Sequence, residues 1–381
     1  MIGYGHQYID DSDIEAVVNV LKSDYLTQGP AVTRFEQEIC RITGAKYCVS
    51  VSNATAGLHI AVAALELGDN AEGITTPNTF LASSNCMVYN NVKPVFADIN
   101  SISYNIDSNE IEKHITDKTQ LLVPVHFAGL PCEMDKITAI AKKHNLRVIE
   151  DAAHAIGTQY ADGSYVGSCK YSDMTVFSFH PVKTITTGEG GAVTTNDEKL
   201  YHKLLMLRSH GTTKDDKLLT KNPGPWYYEM QSLGFNYRMT DMQAALGYSQ
   251  LQKLDFFKKR RREVVAAYNK AFAGMKYLKT PTEPKNVCSC FHLYVIQINF
   301  AALGKTRSQV MAELRQKGIG TQVHYIPVPT QPFYKETYGY KDGDYPIAEL
   351  YYEQALSLPL YPGMSAEDVN SVIMAVKEVV E

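Results

Sequence analysis

Residues 175–188 read TVFSFHPVKTITTG. Residues 175–179 mix β-branched and aromatic side chains and predict a short buried strand. One lysine, Lys183, follows in a stretch that otherwise carries no charge. A lone lysine ordinarily faces water. Held among apolar and hydroxyl side chains, its ammonium loses solvation and its pKa falls. Such an amine is a nucleophile toward aldehydes and ketones. Ser178 lies five residues upstream, within reach of a phosphate. His180, three residues before the lysine, is read as a structural histidine with a catalytic role as the lesser alternative.

Two upstream segments share this strand-end character. Residues 149–154 read IEDAAH, which puts Asp151 at the end of an apolar strand. A carboxylate there points into the crevice where α/β folds bind ligands; an Asp capping the next helix is the equal alternative. Residues 52–56, SNATA, stand between the strand at 47–51 and a helical run at 54–67. Exposed N–H groups at a helix start, with a Thr hydroxyl beside them, form an anion site. A helix N-terminus, a buried Asp and a lysine of depressed pKa are together what pyridoxal phosphate needs.

Further strand-like runs at 94–97, 120–124, 146–150 and 191–195 alternate with helix-like ones, as at 134–144. This alternation predicts an α/β fold with a mostly parallel sheet covered on both faces. It weakens near residue 250, where a helical pattern at 251–272 leads to an isolated strand at 292–300 and a helix at 307–317. The expected division is a large α/β domain, residues 1–250, and a smaller α+β domain, residues 251–381. Ser12 with Glu15, and Ser365 with Asp368, have the spacing of helix-capping pairs. The basic run at 258–262 is read as a solvated helix face.

The 381 residues carry 37 Lys and Arg against 41 Asp and Glu, a net charge of −4, unlike the basic surface of a sequence-independent nucleic-acid binder. No GxGxxG follows a strand and no GxxxxGK[ST] occurs, so dinucleotide and P-loop readings lose their main support. Seven Cys, an odd number without a CxxC pair, suit a reducing compartment. Cys288 and Cys290 read as packed thiols, and no metal site is expected. The start has no apolar core segment of a signal peptide, and the longest uncharged run, 73–92, is too polar to span a bilayer. A cytoplasmic protein without membrane or nucleic-acid partners is expected.

The chain resembles the DegT/DnrJ/EryC1/StrS family of sugar aminotransferases nearly end to end. The segments that carry the likeness are SNATAGLHIA (52–61), TTPNTF (75–80), VPVHFAG (123–129), IEDAAHAIGT (149–158), FSFHPVKTITTGEGGAV (177–193), LRSHG (207–211), GFNYRMTDMQAALG (234–247) and HYIPV (324–328). The resemblance implies a fold type I pyridoxal-phosphate-dependent transferase. Lys183 matches the Schiff-base lysine and Asp151 the partner of the pyridine nitrogen. His154 stands beside the ring oxygen, where many members have Gln. Thr55, Ala56 and Ser178 match phosphate contacts, and Phe80 the aromatic stacked on the ring. Asn236 and Arg238 match residues that reach across from a partner subunit, which implies a homodimer with a shared active site. Tyr4, the segment Asp24, Tyr25, Leu26 and Thr27, and the segment Gln322, Val323, His324 and Tyr325 match stretches lining a sugar-nucleotide pocket. His126 has no role fixed by the resemblance. Within the family the chain is most similar to C4 aminotransferases of pseudaminic acid biosynthesis, which implies L-glutamate and a UDP-linked 4-ketosugar as substrates. A non-catalytic sugar-nucleotide-binding protein on the same fold is the alternative from another class.

Overall fold

The computed structural model describes residues 1–381. Seven strands form the main sheet: β1 (Tyr47–Val51), β2 (Glu72–Thr75), β3 (Lys93–Phe96), β4 (Thr119–Val123), β5 (Arg147–Asp151), β6 (Met174–Ser178) and β7 (Gly191–Thr195). Their order is β1-β7-β6-β5-β4-β2-β3. Every pairing from β6 to β3 is parallel, while β7 runs antiparallel to both neighbours. The sheet is therefore mostly parallel, as the sequence implies.

Strands buried on both faces must be apolar throughout, because helices cover each side. Alternate residues accordingly enter different cores. Leu121, Val123, Ile149, Val176 and Val193 face one layer. Leu122, Val148, Phe177 and Ala192 face the other. Each fully buried aliphatic side chain contributes about 1.5–3 kcal/mol over an exposed one. The first four helices are α1 (Asp11–Leu21), α2 (Pro30–Thr43), α3 (Ala54–Ala64) and α4 (Ala82–Val88). α3 is apolar nearly all round, as a helix wedged in the core must be. Gly57 lets it sit close: a Cβ there would lie 3.0 Å from Val176 Cγ1. At Gly191, where β7 begins, a Cβ would lie 2.7 Å from Ala54 N. These two contacts fix the start of α3 against the sheet edge.

A second sheet of β10 (Leu278–Lys279), β11 (Tyr294–Ile298) and β12 (Ala355–Leu358) follows a small hairpin, β8 (Thr212–Thr213) and β9 (Glu229–Met230). Its core gathers residues from 264 to 380. Ile2 packs against that core and pairs with Ile319, so the N-terminus crosses to the C-terminal part of the chain.

Three local expectations are corrected. α1 is capped by Asp10, not Ser12: the Asp10 carboxylate accepts from the Ser12 and Asp13 amides, and Asp13 accepts from the Asp10 amide in return. Asp supplies two acceptor oxygens where Ser supplies one hydroxyl. The Ser365–Asp368 box forms as read. The helical pattern at 251–272 is broken at Gln252–Lys253, so the helices are Asp241–Leu251 and Leu254–Phe272. Finally, the basic run at 258–262 is not a solvated face. Arg261 is 1% exposed and donates to the carbonyls of His292 and Leu360 at 3.0 and 2.9 Å. Lys258 reaches the Gly157 carbonyl, and Arg262 pairs with Glu283. The run ties the helix Leu254–Phe272 to both parts of the chain.

Burial pulls the Arg261 guanidinium down to about 10, still charged at neutral pH. Replacing it by Met leaves buried carbonyls without donors. Arg261→Met is expected to lower unfolding free energy by about 2–4 kcal/mol in urea titrations. A loss below about 0.5 kcal/mol, the range of neutral surface changes, contradicts this structural role.

Candidate active site

The C-terminal ends of β4, β5 and β6, the start of β7 and the start of α3 meet at one sheet edge. They frame a cleft of about 680 Å³. Tyr4, Thr55, Phe80, Asp151, His154, Ser178, Lys183, His324 and Tyr325 all line it.

Lys183 sits on the connection between β6 and β7. That connection is clamped by the Thr187 amide donating to the Phe179 carbonyl and by the Phe179 amide donating to Gly190. Desolvation pulls the Lys183 amine down to about 8, against an opposing pull from Asp151. Asp151 is 4% exposed. Its Oδ2 accepts from Ser83 Oγ at 2.6 Å and its Oδ1 from the Ala153 amide at 3.0 Å.

His154 has a defined tautomer. The Ala128 amide donates to Nδ1 at 3.3 Å, so the neutral ring carries its proton on Nε2. Nε2 lies 3.1 Å from the Tyr325 hydroxyl, which accepts that proton and keeps its own free for the cleft. Burial and then the Lys183 charge hold His154 well below the usual imidazole range. The same causes hold His324 at about 3. Phe80 is 59% exposed at the cleft mouth, its ring 6.3 Å from that of Tyr325.

Asn53 caps α3 by accepting from the Ala56 amide at 2.8 Å. This leaves the Ala54 and Thr55 amides without a protein partner at the cleft. Ala56 itself does not line the cleft.

Other expected positions lie elsewhere in the single chain. Asn236 pairs with Ser209, and neither it nor Arg238 lines the cleft. Asp24, Tyr25, Leu26 and Thr27 also lie outside it. Their segment is pinned by Asp241, whose carboxylate accepts the Gly29 and Ala31 amides at the start of α2. Gln322 and Val323 lie beside the cleft, where Gln322 pairs with Ser357 of β12. His180 is exposed at the rim. His126 is fully buried behind β5, accepts the Cys132 amide at Nδ1 and donates from Nε2 to Glu150 at 2.7 Å. It does not line the cleft and is a structural residue.

Two residues escaped the sequence reading. Ser83 acts through hydrogen bonds to Asp151 and Thr79, which no spacing announces. His292 lines the cleft with its ring 4.4 Å from His154, and its approach is set by distant strands.

This constellation has relatives. The model of the DegT/DnrJ/EryC1/StrS aminotransferase family matches residues 7–377. The chain belongs to that family. It is 42% identical over 379 residues to the spore coat polysaccharide biosynthesis protein SpsC of Bacillus subtilis, covering 99% of this chain and 97% of SpsC. An uncharacterised protein of Methanocaldococcus jannaschii, MJ1066, is 45% identical over 98% of this chain and 96% of its own. Among solved structures, Helicobacter pylori PseC, an aminotransferase involved in pseudaminic acid biosynthesis, superposes with a TM-score of 0.93 at 33% identity, covering 100% of this chain and 99% of PseC. Spr1654 from Streptococcus pneumoniae, assigned as a sugar aminotransferase and solved in PLP and PMP forms, is 31% identical with TM-scores of 0.92 and 0.93.

The family member described here is thus a sugar aminotransferase with the fold expected of it. Pyridoxal phosphate is the cofactor that its cleft fits. Two unpaired amides and a serine hydroxyl suit a phosphate, a buried carboxylate suits a ring nitrogen, and an amine of lowered pKa suits an aldehyde.

In cofactor-free protein, Lys183 should react with trinitrobenzenesulfonate as the free amine. Its rate should rise with pH through a midpoint near 8. At pH 7 about a tenth is already deprotonated, far more than for a surface lysine. A midpoint at 10 or above refutes the desolvation argument.

Proposed function

We propose that this protein moves the amino group of L-glutamate to C4 of UDP-2-acetamido-2,6-dideoxy-β-L-arabino-hexos-4-ulose. The product is UDP-4-amino-4,6-dideoxy-N-acetyl-β-L-altrosamine. The observation that carries the reading is Lys183, an amine of lowered proton affinity, in one cleft with the buried Asp151. The likeness to PseC supports the pseudaminic type of substrate. The higher identity to SpsC, named for spore coat polysaccharide rather than pseudaminic acid, leaves a second reading, another NDP-4-keto-6-deoxysugar such as the bacillosamine or perosamine type.

When bound, pyridoxal phosphate supplies an aldehyde that takes up the amino group and a protonated ring that withdraws electrons. Lys183 would hold its aldehyde carbon and Asp151 its ring nitrogen, with His154 beside its ring oxygen and the Tyr325 hydroxyl free to donate there. The free Ala54 and Thr55 amides and Ser178 would hold its phosphate and Phe80 would cover its face; Ala56, expected as a phosphate contact, gives its amide to Asn53 instead. Lys183 Nζ, once free, takes the proton from the α-carbon of glutamate. In the second half-reaction it returns a proton to C4 of the sugar. A single amine titrating near neutrality serves both transfers, and its fixed loop sets the face from which C4 is protonated. Tyr4, His324 and Tyr325 border the sugar.

The partner subunit completes the site. Asn236 contributes to cofactor binding and Arg238 to substrate binding from across a homodimer interface; residues 24–27, Gln322 and Val323 belong to the sugar-nucleotide pocket. Two facts support this: Asn236 and Arg238 miss their own cleft, and the excursion around β8 and β9 exposes Trp226, Tyr228, Met230 and Leu233, each 59% or more. Exposed apolar residues on this scale mark an interface. We take residues 1–250 and 251–381 as the large and small domains around the cleft.

The direct test is the visible spectrum. L-Glutamate should convert the bound cofactor to its pyridoxamine form, and the L-arabino ketosugar, not its D-xylo epimer, should reverse it. Reversal by the D-xylo epimer alone transfers the assignment to the second reading. Lys183→Ala should lower turnover by about 10³-fold or more. A mixture of Lys183→Ala and Arg238→Ala proteins, unfolded and reassembled together, should regain activity that neither has alone. Failure to complement in a verified mixed dimer rules out the shared site.

A further inference from the structure

Asp151 Oδ2 is met by a hydroxyl from α4. Ser83, the second residue of that helix and 1% exposed, donates to it at 2.6 Å. Behind Ser83 stands Thr79, 3% exposed, its Oγ1 also 2.6 Å from Ser83 Oγ. The direction of the chain is fixed. An ionised carboxylate only accepts, so the Ser83 proton points to Asp151 and the Thr79 proton points to Ser83. Two hydroxyls aligned head to tail polarise one another toward the charge.

Serine in a helix has an alternative, bonding back to its own turn. Ser84 takes it, donating to the Leu81 carbonyl. Ser83 does not, although it is buried in the same turn. Its hydroxyl is committed to the carboxylate.

We propose that Ser83, backed by Thr79, is a positioning residue that keeps Asp151 ionised and aimed at the ring nitrogen of pyridoxal phosphate. The inference rests on the assignment of Asp151 to that nitrogen. Between a carboxylate and a pyridine nitrogen one proton is shared, and its place depends on which partner holds its charge more cheaply. Hydrogen bonds to a carboxylate favour its ionised form. They therefore leave the proton on the ring. Without Ser83, Asp151, only 4% exposed, keeps a single hydrogen-bond donor, the Ala153 amide on its other oxygen. The proton then moves toward the carboxylate and the ring loses its charge. Thr79 lies one shell further out and acts more weakly in the same direction.

The test uses holoenzyme loaded with pyridoxal phosphate carrying ¹⁵N in the ring, whose chemical shift separates protonated from neutral nitrogen. Ser83→Ala should lower the apparent ring-nitrogen pKa by about one unit, a tenfold shift, and speed cofactor loss on dialysis about tenfold. Ser83→Thr should restore both. Thr79→Val should give a smaller shift of the same sign, and it serves if Ser83→Ala does not fold. In an Asp151→Asn background Ser83→Ala should add nothing. A wild-type shift and release rate in Ser83→Ala overturn the proposal, as do equal effects with and without Asp151. If Asp151→Asn alone leaves the nitrogen protonated, the Asp151 assignment itself falls and this inference with it.

Discussion

The hardest demand in this structure comes from two acids side by side at the end of β5. Glu150 and Asp151 are both buried. A carboxylate removed from water costs several kcal/mol unless donors replace its solvent. Because side chains alternate along a strand, the two point to opposite faces and must be satisfied separately. Glu150 is answered by His126, Tyr160, Ser172 and Thr175. Burial pushes its proton affinity up, and these donors more than reverse that. Asp151 is answered by Ser83, the Ala153 amide and the nearby Lys183 charge. The loop after β4, the start of α4 and the connection after β6 are all held where these acids need them.

That arrangement explains what the sequence could and could not show. Lys183 and Asp151 were legible together rather than singly: each alone has an ordinary reading, but both stand at the ends of apolar runs beside an anion-type helix start. Strands β1 and β7 and the helix Met134–His144 were legible to the residue, since their apolar runs end abruptly. β2 was not. Its short sequence, EGIT, opens on a glutamate and a glycine, and only its neighbours bury it. α2 was missed although Pro30 at its first position and Gly44 at its C-cap mark both ends locally; only its side-chain cap, Asp241, comes from far away. The basic run at 258–262 misled because charge predicts exposure on average. Carbonyl groups brought in from residues 157, 292 and 360 make burial possible there, and no local pattern announces them.

The second half of the chain is tied to the first by aromatic contacts as well as by charged ones such as Lys253 with Asp10 and Asp13. Phe96, Tyr104 and Phe127 pack with Tyr334, Tyr345 and Tyr351 in one cluster. Edge-to-face rings dominate, as between Phe127 and Tyr351 at 85°. Such rings bury large areas at little entropic cost, because each has few rotatable bonds. The side wall of the cleft formed by His324 and Tyr325 is anchored to this cluster through the Tyr351 hydroxyl, which donates to the His324 carbonyl.

The reversed direction of β7 has one more consequence. β6 and β7 are sequence neighbours paired antiparallel, so residues 179–190 form a closed local loop rather than a crossover. The entropy of closing a loop grows only slowly with its length and is small for a short one. Lys183 therefore belongs to a locally closed segment, whereas the other walls of the cleft arrive from residues far apart in the chain. The reactive amine is in place before any ligand enters, and binding need not order the segment that carries it.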